Sequence, residues 1–91
     1  MVVSIAVRKI DETTFEVTVE GPATTTHRVT VPASYYQKLT GGRFTPQVLV
    51  EKSFEFLLER EPNTSILRQF ELSVIQSYFP EYEKTIPGML A

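Results

Sequence analysis

The chain has 91 residues and a net charge of −2. One domain of this length (residues 1–91) buries only roughly 60–65% of the surface its unfolded form exposes, so its core is thin. At 42% hydrophobic and 22% charged it reads as globular rather than disordered. Having no cysteine excludes a disulfide framework, a thiolate metal site and a thiol nucleophile. A single histidine excludes a multi-histidine metal site, and the acidic balance argues against a strongly basic nucleic-acid binder.

The opening MVVSIAVRK places its positive charges after its apolar run, the reverse of a secretory leader. No run approaches the ~20 apolar residues that span a bilayer. The expected location is the cytoplasm, without membrane association.

Residues 2–31 read as strands. Val3, Ile5 and Val7 alternate with Ser4, Ala6 and Arg8. Phe15, Val17 and Val19 alternate with Glu16, Thr18 and Glu20. Asp11-Glu12-Thr13-Thr14 is a polar connector of hairpin length, and Gly21-Pro22 ends the second run. In the β-branched run Thr24–Val31, His27, Val29 and Val31 share one face; Thr26, Arg28 and Thr30 share the other. The pattern predicts a three-stranded antiparallel meander with one apolar face that later residues must cover.

Residues 33–80 read as helices. Ser34 and Gln37 have the spacing of a capping box before a short helix over Tyr35–Thr40; with Pro32 as the first helical residue the helix begins earlier. Gly41-Gly42 stops it. Thr45-Pro46 is a hydroxyl N-cap followed by proline at the first helical position, predicting a helix to about Glu61. Val50, Phe54, Leu57 and Leu58 form one core stripe of this helix, whereas Leu49 and Phe56 lie roughly 140–160° from Phe54, with small Ser53 between the patches. An apolar arc of roughly 200° needs cover on two sides, from the rest of the chain or from a second copy. Leu49, Ser53 and Phe56 are therefore the candidate homodimer interface. Asn63-Thr64-Ser65 is read as the cap of a third helix containing Ile66, Leu67 and Phe70. Ser73 and Gln76 start another with Val74, Ile75, Tyr78 and Phe79, and a loose tail over 81–91 holds Pro87-Gly88. The expected fold class is α+β: a three-stranded antiparallel sheet followed by three or four helices.

Chemical constellations are sparse. His27 sits on the apolar strand face, where a histidine is ordinarily a hydrogen-bonded core residue. Ser53 has no other base to call on and no G-x-S-x-G elbow. Glu51, Glu55 and Glu59 form a helical row without the histidine partners of a di-metal site, and read as a solvated face. Gly41-Gly42-Arg43 before the Thr45 helix start is a helix stop, with a phosphate contact as its functional alternative. Late aromatics such as Phe56, Tyr78, Phe79 and Tyr82 offer one or two exposed rings to an interface. No catalytic residue, cofactor or metal is expected, and no enzyme activity.

The stretch THRVTVPASYYQKLTGGRFTPQVLVEKSFEFLLER (residues 26–60) resembles a ribbon-helix-helix module, most closely in its second helix. Proteins of that family are obligate dimers whose paired strands enter the DNA major groove. The resemblance implies base contacts from Thr26, Arg28 and Thr30 and a phosphate contact from Thr45. Residues 26–86 are also similar to a group of short uncharacterised bacterial proteins, a likeness that implies no activity. Two functions follow as expectations. The first is a small interaction module, homodimeric through its second helix or binding another protein. The second is a DNA-binding regulator or antitoxin of ribbon-helix-helix type.

Overall fold

The computed structural model describes residues 4–90. Val2 and Val3, expected at the start of the first strand, lie outside the described residues. The expected meander forms from β1 (Ser4–Lys9), β2 (Thr14–Glu20) and β3 (Thr25–Thr30), paired antiparallel with Val7 opposite Val17 and Val17 opposite His27. The first turn closes because Asp11 Oδ1 accepts from the amides of Thr13 (3.0 Å) and Thr14 (2.8 Å). These bonds, that of the Thr13 amide foremost, hold its carboxyl below the ordinary range.

α1 (Ala33–Thr40) begins one residue before Ser34. Pro32 occupies the N-cap and Ser34 lies inside the helix, so the expected capping box is not formed. Gly41 ends the helix at φ +64°, its amide donating to the Gln37 carbonyl at 2.8 Å. α2 (Pro46–Leu58) starts where expected: Thr45 Oγ1 accepts from the Val48 amide at 3.2 Å, with Pro46 in the first turn. Its last helical residue is Leu58, three before the expected Glu61. Thr45→Ala is expected to cost about 1 kcal/mol, read as a lower urea midpoint with an unchanged denaturant slope.

Beyond α2 the structure corrects the sequence reading. Asn63–Ser65 form a single 3₁₀ turn rather than the start of a helix. Gln69–Glu71 then form β4, which adds to β3 in parallel and makes a mixed four-stranded sheet of order β1-β2-β3-β4. The Arg28 amide donates to the Arg68 carbonyl at 2.8 Å and the Leu72 amide to the Thr30 carbonyl at 2.9 Å, locking the register. α1 and α2 together supply the crossover that a parallel pair requires. The fold class is α+β as expected, with one more strand and one parallel pairing than the sequence implied.

The tail read as loose contains α4 (Tyr82–Leu90), following the short α3 (Val74–Tyr78). Tyr82, Ile86 and Leu90, at i, i+4 and i+8, are buried. Pro87 inside α4 leaves the Glu83 carbonyl without its usual helical donor. The turn between α3 and α4 is clasped by Gln76, whose Nε2 donates to the Pro80 carbonyl (2.7 Å) and whose Oε1 accepts from the Glu83 amide (2.9 Å).

One core cluster joins the apolar sheet face (Phe15, Val17, Val19, Val29) to α2 and α4. The two-sided arc of α2 is buried by its own chain, and Leu49, Ser53 and Phe56 are each 0% exposed. Tyr82 Oη and Ser53 Oγ are 2.6 Å apart, and Ser53 also donates to the Leu49 carbonyl at 2.7 Å. Phe56 meets the Tyr82 and Phe79 rings edge-on, at 5.2 and 6.0 Å between centroids. The three residues assigned to a homodimer interface therefore belong to the interior, because α4 supplies the second cover.

Candidate functional site

Three places were singled out by the sequence, and the structure separates them. Thr26, Arg28 and Thr30 are exposed on the open face of the sheet, opposite the helices. They share that face with acidic groups. Register places Glu16 between Arg8 and Arg28, with Arg8 Nη2 2.9 Å from Glu16 Oε1, and Glu20 and Glu71 are exposed on neighbouring strands. β3 is flanked on both sides, by β2 along its length and by β4 along Arg28–Thr30. Thr45, on the far side of the α1–α2 turn, uses its hydroxyl on its own helix. The Gly41-Gly42-Arg43 amides are likewise engaged internally, with the Gln37 carbonyl, the Thr40 hydroxyl and the Thr40 carbonyl, which leaves no amide cradle for a phosphate.

His27 is a core residue. Its Nδ1 lies 2.8 Å from the Leu67 carbonyl, which can only accept, so Nδ1 carries the proton. Nε2 then accepts from the Thr25 hydroxyl at 2.8 Å, and Thr25 Oγ1 in turn accepts from Asn63 Nδ2 at 2.9 Å. Burial pushes the imidazole pKa below its usual 6.5, keeping the ring neutral against Phe54. This chain of bonds ties β3 to residues 63–67 and fixes the backbone at Leu67. Ser53 and His27 each spend their polar atoms on other partners, so they do not form a nucleophile–base pair.

A cleft of about 260 Å³ opens where the sequence expected a third helix. One wall is the end of α2 and the segment after it, with Leu57, Glu61, Ile66 and Leu67; the other is α3, with Val74 and Tyr78; Phe70 of β4 also lines it. The geometry follows from local chemistry. The Arg60 and Glu61 amides both donate to the Leu57 carbonyl at 2.9 Å, turning the chain out of α2, and Pro62 directs it into the 3₁₀ turn. The His27 bond then holds Leu67 at the rim. Leu67 and Tyr78 stay 45% and 65% exposed. Glu61 is partly buried, and burial raises its carboxyl above the ordinary range.

Sequence reasoning flagged Tyr78 and missed Leu67 and Glu61. A signal was present: Phe70 and Leu72 alternate with Gln69 and Glu71 at period two, and counting back from Phe70 leaves Leu67 on the opposite parity. Among the described residues no group of acidic or histidine side chains could hold a metal ion, and no helix is long and apolar enough to cross a membrane. Comparison with family models, with curated proteins and with solved structures finds no match for this chain.

Proposed function

We propose that the chain is a small non-enzymatic interaction module that holds apolar side chains of a partner protein in the cleft between the end of α2 and α3. One observation carries this reading. Of the three large hydrophobic side chains most exposed among the described residues, two, Leu67 and Tyr78, line the same concave site. A single exposed apolar residue needs no explanation, but two gathered on one cleft support its reading as a contact surface. The volume lies just under the range of about 300–1,000 Å³ usual for small-molecule pockets, so it suits one or two side chains of a protein better than a cofactor. The titratable side chains of the cleft, Glu61 and Tyr78, make no nucleophile–base–orienting set.

DNA contact through Thr26, Arg28 and Thr30 has less support, because acidic groups share that face and β3 already has β2 on one side and β4 against Arg28–Thr30 on the other.

The test is a random peptide library panned on the protein. Selected peptides are expected to shift the amide resonances of Leu67, Val74 and Tyr78. They should bind Leu67→Ser and Tyr78→Ala at least roughly tenfold more weakly, while both variants keep wild-type stability within about 0.5 kcal/mol. Peptides that map elsewhere and bind both variants as tightly as wild type would overturn the reading.

A further inference from the structure

Glu61 is the one acidic side chain lining the cleft. Among the described residues, its carboxylate accepts no hydrogen bond and pairs with no cation. The neighbouring cation is committed elsewhere. Arg60 donates through Nε to Glu81 at 3.0 Å and through Nη1 to the Phe56 carbonyl at 3.0 Å, and its guanidinium lies 3.6 Å from the centre of the Phe56 ring. A carboxylate beside Leu57 and Ile66 thus keeps its charge with water as its partner on the open side. Filling the cleft with an apolar side chain removes part of that water. A neutral occupant leaves the charge buried and unpaired, and an anionic one adds repulsion. An ammonium or guanidinium next to the apolar anchor replaces the lost water with a charge-assisted bond.

We infer that the partner segment held by this cleft carries a lysine or arginine beside its apolar anchor, and that Glu61 is the residue selecting it. The inference rests on the cleft being an interaction site. The upward shift that burial gives this carboxyl agrees with it, since a cationic neighbour acts in the opposite direction and favours the charged form.

The experiment uses three capped tetrapeptides, acetyl-Gly-Phe-Lys-Gly-amide and its Gln and Glu counterparts at the lysine position. Each is titrated into the full chain and followed by amide shifts at Leu67, Val74 and Tyr78. The lysine peptide is expected to bind roughly fivefold more tightly than the glutamine peptide, and the glutamate peptide more weakly than either. In Glu61→Gln the three affinities should converge to within about twofold, and Glu61→Lys should reverse their order. Well-dispersed spectra of both variants establish that they fold. Equal binding of all three peptides to the wild-type cleft overturns the cationic inference and leaves the interaction site standing. No shift at the cleft with any peptide overturns both.

Discussion

Tyr82→Ala is expected to destabilise the protein by about 3–5 kcal/mol, the range for removing a fully buried large aromatic side chain. A chain of this size has roughly 5–14 kcal/mol in total, so the variant is marginal or unfolded. The cost is large because Tyr82 fills the space that small Ser53 leaves on α2 and packs edge-on to Phe56. Its removal also uncovers the second apolar side of that helix, so light scattering should show a higher average mass than for wild type at the same concentration. Tyr82→Phe keeps the ring and loses only the hydroxyl, at about 1 kcal/mol. Urea unfolding of the two variants checks the assignment. If Tyr82→Ala cost less than about 1 kcal/mol, α4 would not be docked on α2 as described.

His27→Ala is expected to cost about 2–4 kcal/mol. It removes a fully buried ring beside Phe54 and leaves the Leu67 carbonyl and the Thr25 hydroxyl without their partner. The same residue predicts a pH dependence. In the folded chain burial holds the imidazole below its usual pKa of 6.5, so on acidification the unfolded chain takes up this proton first. The unfolded state then binds more protons, and folding stability falls as pH drops. This contribution is complete above about pH 6.5 and is lost progressively as pH falls from there through the lowered folded value. Unfolding midpoints at neutral and mildly acidic pH should differ more for wild type than for His27→Ala. Equal losses in the two proteins would mean that the ring is not held neutral.

The strongest sequence signals were those in which local chemistry and tertiary need agree. The alternation of Phe15, Val17 and Val19 became the centre of the sheet, and Thr45-Pro46 became the start of α2. The two-sided apolar arc of α2 was also legible. Its cover was not, because a helix needing burial on both sides looks the same whether the second layer comes from its own chain or from another copy. β4 was missed because three residues give barely one period of alternation, and its parallel pairing depends on the path of α1 and α2. α4 was hidden by Pro87-Gly88, a breaker signal that the buried spacing of Tyr82, Ile86 and Leu90 outweighs. The cleft exists because residues 63–68 make a single 3₁₀ turn and then extend instead of forming an α-helix, so no reading that placed a helix there could have found it.

The parallel β3–β4 pairing also sets the kinetic order of assembly. The β1–β2 and β2–β3 turns span only residues 10–13 and 21–24, whereas joining β4 to β3 closes the loop of residues 31–68. A loop about tenfold longer costs roughly 2 kcal/mol more in closure entropy. The meander is therefore expected to form early, and β4, with the Leu67 rim, to join once α1 and α2 have shortened the path. The part of the molecule that would meet a partner thus rests on contacts some 40 residues apart in the chain, and its formation depends on the path of α1 and α2.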